Sequence, residues 1–533
     1  MRTLHVIIAT AVALVTAAAV HAQKGIDNPM TRAVLDVYQR QLQEDPTDWE
    51  TWMRRANEYY NHDEYMRALN DIDNALKYIP ADKRDDRAAA LMLRANIYTL
   101  TGRHAEALAD LDSALALNPN DYITIYQRAN ANYELGNYDN AKEDYKRLQR
   151  INPRSAEALI GLARVAVLEN NLGLANEYLD DAVSLDPNNA DYYVRRASVR
   201  KQMGNHSNAI EDLILALSTD SRNTRATQDL VDYADTNYAD VIAGLTSAMQ
   251  SAPKVGMFVY LRAVISQAHF RYTAALDDFR RIIDQQLYDY HGIYASMAEC
   301  QLALGQYQDA LASIDHAISM DANSAAHFVL KAQILRALHR DSEAVDVALQ
   351  STVINPGLTE PLVELGICRA ATGKWEEANE LYGEAALSGN TSPMLNLLRA
   401  QVLAEHLNQP VAARRFRELT AQAEGYADTD VNSLKGFALL MTGQTTEART
   451  WMNNILSTVP DNDGFVNFMG ACFFSMDGDS DSALQCAAKA LDAGYANYYD
   501  WMDNTSSPVT VKTLRDDLRF LNLIERHNRI FGR

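Results

Sequence analysis

Internal repetition is the feature that most limits what this 533-residue chain can fold into. The stretch LMLRANIYTLTGRHAEALADLDSALALNPND, starting at Leu91, falls on IYQRANANYELGNYDNAKEDYKRLQRINPRS, starting at Ile125, after a shift of 34 residues. Gly102 then overlies Gly136, Ala107 overlies Ala141, and Pro119 overlies Pro153. The triplet Arg-Ala-Asn recurs with the period, at Arg55-Ala56-Asn57, Arg94-Ala95-Asn96 and Arg128-Ala129-Asn130. A chain repeating in this way makes one small supersecondary unit many times over, and each unit needs its neighbours to bury its apolar face.

With the unit numbered from its first residue, position 8 is small from Ala56, Ala95 and Ala129 through to Gly366, Ala400, Gly436 and Gly470. Position 20 is alanine in Ala68, Ala107, Ala141, Ala175, Ala209, Ala275, Ala310, Ala344, Ala378, Ala412 and Ala448. A small residue at one place on each of two helices lets their backbones approach, so a larger side chain there should overpack the contact by roughly 1–3 kcal/mol. Position 15 is often glycine, which permits the positive φ of a tight turn (Gly102, Gly136, Gly204). Position 32 is often proline, which stops a helix (Pro80, Pro119, Pro153, Pro187). Each unit therefore reads as helix, turn, helix, stop.

Charge follows the same register. Arg55, Arg94, Arg128, Arg196 and Arg262 stand at position 7, and Asp71, Asp110, Asp144, Asp212 and Asp278 stand 16 residues later. Where position 7 is not arginine, position 23 is not aspartate, as with Leu162 and Tyr178; Arg399, opposite Arg415, breaks the rule. In an antiparallel hairpin turning near position 15 the two sites face each other, so charge-assisted Arg–Asp bonds between the paired helices are expected.

The pattern resembles the tetratricopeptide repeat family from Trp49 to about Leu491, with large apolar residues at positions 4, 11 and 24 such as Trp52, Tyr59 and Ile72. The resemblance implies an all-α, right-handed α-solenoid of about 12–13 helix-turn-helix repeats with N- and C-terminal capping helices. The domain reading is a signal peptide at 1–22, a capping helix within 23–48, repeats at 49–221, a divergent repeat or hinge at 222–255, repeats at 256–492 and a C-terminal capping segment at 493–533. In this family the first helices line the inner wall, with positions 2, 5, 9 and 12 facing the groove. That places Met53, Asn57, Tyr60, Met92, Asn96, Tyr126, Asn130 and Tyr133 in a candidate peptide-binding groove. Carboxamides both donate and accept, so the three asparagines could bond successive amides of an extended peptide, with Tyr and Met giving adaptable apolar contact. The alternative is that the asparagines satisfy polar groups between units. A carboxylate clamp of the family's kind is disfavoured, because Met53, Ile123 and Gln127 stand where it needs basic residues.

Met1-Arg2, the apolar run Val6 to Val20 and Val20-His21-Ala22 read as a cleaved export signal, making the periplasm the expected compartment. No other segment is apolar enough to span a bilayer. A formal net charge of −21 without a basic stripe argues against nucleic acid. Cys300, Cys368 and Cys472 share position 10, a core site, so buried thiols are expected rather than disulfides. No His-x-x-x-His, Cys-x-x-Cys, nucleophile elbow or phosphate loop occurs, so no catalytic residue, metal or cofactor is expected. The expected function is a non-catalytic scaffold or adaptor of the cell envelope that binds other proteins or extended peptides. The alternatives are a structural subunit of a secretion or polysaccharide-export assembly docking through its outer faces, and, more remotely, an enzyme with a site between repeats.

Overall fold

A computed structural model describes residues 28–287, 292–422 and 429–532. The expected signal peptide lies outside the described residues. Among them, five helical hairpins precede the helical stretch Thr224–Ser251, and seven follow it. A lone helix, Pro29–Glu44, precedes the first hairpin, Trp49–Asn61 with Tyr65–Tyr78. The chain is all-helical, in repeated helix pairs, with no strand among the described residues.

Local chemistry starts and stops the helices. Asp48, Asp121 and Ser155 cap first helices by accepting from the backbone N–H of Thr51, Thr124 and Ala158 at 3.2, 2.8 and 3.0 Å. The hairpin turns need a left-handed residue: Gly102 and Gly136 supply it at φ 73° and 78°. Asp63, Asn170, Phe270 and His339 hold the same conformation without glycine's freedom, so the turn is imposed there by the packing of the two helices.

The core is a row of small contacts. Ala56, Ala68, Ala107, Ala129 and Ala141 are fully buried or nearly so. Where a facing side chain is large, the small residue shrinks further: a Cβ at Gly366 would lie 2.4 Å from the Tyr382 ring, and one at Gly161 2.3 Å from Tyr145. One unit departs from the sequence register. Ala413, rather than Ala412, fills the buried contact of Pro410–Gln422, because the longer link through Asn408, at φ 51°, shifts that helix by one residue.

The divergent stretch Thr224–Ser251 is two helices joined directly at Asn237, whose backbone leaves the helical range (φ −131°, ψ 41°). The chain divides there into two compact units, meeting between Gly244 and Leu245. Below they are called the N-terminal and C-terminal units.

Candidate functional site

In the N-terminal unit the position-7 arginines lie bidentate on aspartate. Arg55 reaches Asp71 at 2.6 and 2.8 Å, Arg94 reaches Asp110 at 2.7 Å twice, and Arg128 reaches Asp144 at 2.8 and 2.7 Å. Arg196 donates to Asp212 at 2.6 to 3.2 Å, and in the C-terminal unit Arg262 donates to Asp278 at 2.7 and 2.6 Å. Planar guanidinium matches planar carboxylate, which fixes the angle between the two helices as well as their distance. The hydrogen bonds that Arg94 and Arg128 donate to Asp110 and Asp144 hold their guanidinium groups well above their ordinary range.

The third guanidinium nitrogen carries a link that the sequence reading did not contain. Arg94 Nη1 donates to Asp73 at 2.6 Å, Arg128 Nη1 to Asp112 at 2.9 Å, and Arg196 Nη1 to Asp180 at 2.8 Å, each in the second helix of the preceding unit. Arg55 uses Gln39 and Arg262 uses Thr246 in the same way, at 2.5 and 2.8 Å. Each arginine thus ties three helices, two of its own unit and one of the unit before. The signal for it was available, since Asp112 and Asp180 stand 16 residues before Arg128 and Arg196.

The groove residues sit on the first helices of the N-terminal unit. Met53 and Tyr60 pack at the edge of one apolar cluster, Met92 on a second, and Tyr126 and Tyr133 on a third, each leaving part of its surface open. The row of three free carboxamides needs correction. Asn57 is exposed and donates back to the Met53 carbonyl at 2.9 Å. Asn96 Oδ1 accepts from Gln127 Nε2 at 2.5 Å, a contact between successive units, and Asn130 Oδ1 accepts from the buried Tyr145 hydroxyl at 2.6 Å. The oxygens of Asn96 and Asn130 are therefore spent inside the stack, because a long polar neighbour reaches each of them. Arg164 lies 3.8 Å over the Tyr133 ring and bonds Glu134 at 2.9 Å, giving this face an amphipathic character.

In the C-terminal unit Gln267, Glu299 and Arg336 of the corresponding positions are bonded to neighbours in the stack, and turn and second-helix residues hold the last segment of the chain. Gln267 donates to Glu299 at 2.6 Å, and burial pushes the Glu299 carboxyl up to about 7, opposed by that hydrogen bond. Arg336 pairs with Glu364 at 2.9 Å, both nearly buried, and donates to Ser506 at 2.8 Å. Tyr307 donates to Asp503, Thr273 to the Ile530 carbonyl at 3.0 Å, and Arg271 to the carbonyls of Gly494 and Ala493. Tyr495, Trp501, Phe520 and Phe531 are fully buried in this segment. A segment expected to cap the last helix thus also reaches helices that begin more than 160 residues earlier, at Tyr272–Gln285, Tyr307–Met320 and Ala325–Ala337.

Cys300, Cys368, Cys472 and Cys486 are free and buried. Among the described residues no group of His, Cys, Asp and Glu could hold a metal ion, and no helix is long and apolar enough to cross a membrane.

Family models described as Tetratricopeptide repeat match residues 53–122 and 126–190, and a further one matches 190–223. Over 114 residues the chain is 33% identical to "Cellulose synthase operon protein C" of Pseudomonas fluorescens (strain SBW25), covering 21% of this chain and 9% of that protein's length. Among solved structures, the yeast Tom70 aligns over 84% of this chain and 96% of its own at 14% identity and a TM-score of 0.38. YrrB, described as a TPR protein with an unusual peptide-binding site, aligns over 37% of this chain and 98% of its own at 20% identity and a TM-score of 0.31. The repeated hairpins and the matched family models together show that the chain carries tetratricopeptide repeats, matched over residues 53–122 and 126–223.

Proposed function

We propose that the chain is a protein-interaction scaffold of the cell envelope whose N-terminal unit holds extended segments of partner proteins on its first-helix face. The observation that carries this reading is the row of half-exposed Met53, Tyr60, Met92, Tyr126 and Tyr133, each rooted in the core and open on one side. Rooted aromatic and thioether side chains offer contact area at little further entropic cost, which suits weak, repeated contacts along a peptide. The exposed Asn57 and the unspent amide groups of Asn96 and Asn130 add donors on the same row. No catalytic role is proposed for any residue.

A second reading is favoured by one comparison. The Pseudomonas relative is named for a cellulose synthase operon, and a structural subunit of an envelope polysaccharide assembly would dock through outer faces. Site-specific photo-cross-linking separates the two. A photoreactive residue at Tyr126 should capture unstructured probe peptides, whereas one at the exposed Met66, on a second helix, should not. Replacing Met92, Tyr126 and Tyr133 with Ala should abolish capture. Equal capture at both sites, or capture that survives the triple replacement, rejects the groove reading.

A further inference from the structure

The arginine ladder contains one rung without its acids. Arg399 occupies the register of Arg94 and Arg128, in Pro393–Glu405 of the C-terminal unit, but residue 415 is arginine. The one-residue shift of the helix Pro410–Gln422 turns the Phe416 ring under the guanidinium instead, at 4.3 Å. Sixteen residues upstream, where Asp112 and Asp180 serve Arg128 and Arg196, stands Gly383. A Cβ built there would lie 3.6 Å from Arg399 Nη2, in ordinary contact, so the glycine leaves vacant the space an aspartate fills elsewhere. Among the described residues the buried Arg399 Nε has no acceptor, and Arg417 Nε on the facing helix is in the same state. Burial alone pulls the Arg399 guanidinium below its ordinary range, the opposite of Arg94 and Arg128. Beside it the helix Pro410–Gln422 offers an open groove with Val411 84% and Leu419 49% exposed, next to Phe416 and Arg415.

We propose that Arg399 is a receptor for a carboxylate delivered by another protein, in an extended segment where aspartate or glutamate alternates with apolar residues. The carboxylate takes the place that Asp112 and Asp180 fill at their own arginines, and the apolar neighbours lie along Val411, Phe416 and Leu419. Geometry favours carboxylate over phosphate, since the vacancy is that of one aspartate side chain, and the net charge of −21 disfavours a multiply charged ligand. A half-buried guanidinium without a counter-charge is costly to the fold, so a site that keeps one is suited to receive its partner in trans. The inference concerns the C-terminal unit and does not depend on the groove proposed for the N-terminal unit.

The test uses the full chain and a fluorescein-labelled peptide alternating aspartate with leucine, read by fluorescence anisotropy, with an asparagine-for-aspartate peptide as control. The neutral peptide should bind at least about tenfold more weakly, as expected for loss of a charge-assisted hydrogen bond. Arg399→Met should lose the acidic peptide by a similar factor while its Tm stays equal or rises. Gly383→Asp should supply the missing acid in cis, lose the peptide and raise Tm. The proposal is overturned if the wild-type chain does not bind the acidic peptide, if the neutral peptide binds equally, if either variant binds as the wild type does, or if inorganic phosphate displaces the peptide from Arg399 more tightly than the peptide itself binds.

Discussion

The two acids of one rung should differ sharply in what they contribute. Arg94 is bonded by Asp110, whose side chain is 9% exposed, and by Asp73, whose side chain is 58% exposed. Replacing Asp110 with Ala leaves a partly buried guanidinium and the helix pair without its bidentate bond, a cost of about 2–3 kcal/mol by analogy with broken charge-assisted bonds. Asp73 is largely in water, where screening reduces a salt bridge to about 0–1 kcal/mol. In a unit of this size one kcal/mol moves Tm by roughly 2–4 °C. Differential scanning calorimetry should therefore show the Asp110→Ala transition about 4–12 °C below wild type and the Asp73→Ala transition within about 4 °C of it. A double-mutant cycle with Arg94→Met isolates each pair, and the coupling to Asp110 should exceed that to Asp73. Equal shifts for the two aspartates would refute the reasoning, because burial would then not be what sets the strength of a rung.

Three further outcomes follow from the geometry. Glu299, raised to about 7 by burial against an unfolded value of 4.5, keeps in the folded state a proton that the unfolded chain has lost, so stability falls as pH rises between those values and is flat above. Glu299→Gln should thus raise Tm above wild type at about pH 8, by an equivalent of at most about 3 kcal/mol, and match it near pH 4; calorimetry across pH checks this, and a constant difference would contradict it. Gly161→Ala, whose Cβ would meet Tyr145, should destabilise the N-terminal unit by about 1–3 kcal/mol in urea titrations. Trp501→Ala should cost about 3–5 kcal/mol and expose the segment after Ala493 to limited proteolysis, while the N-terminal unit melts unchanged.

The hairpins and their stops were readable because they rest on residues with few alternatives: alanine where helices touch, and glycine or proline where they end. A register counted in steps of 34 cannot see a one-residue link change, so Ala413 and Phe416 stand where Ala412 and Arg415 were expected. The same counting sets Arg94 against Asp110, since the turn fixes which residues of a hairpin face each other. It gives no account of side-chain reach, and reach is what draws Asn96 to Gln127 and Asn130 to Tyr145. The anchoring of residues 493–532 lay further out of view, because it joins positions some 200 residues apart, such as Tyr307 with Asp503, that share no repeat register. Its one sequence trace is the density of aromatic residues between Tyr495 and Phe531.

Because Arg128 and Arg196 each grip an acid 16 residues behind as well as one 16 residues ahead, the contact between units is written into those copies of the motif. A duplicated stretch such as 88–121 would arrive with Arg94 ready for the acid that precedes it and with Asp112 on its second helix ready for the next arginine. Lengthening such an array needs no new interface, so gene duplication alone can extend it, and the divergence at Gly383 marks where a copy has given up that self-sufficiency.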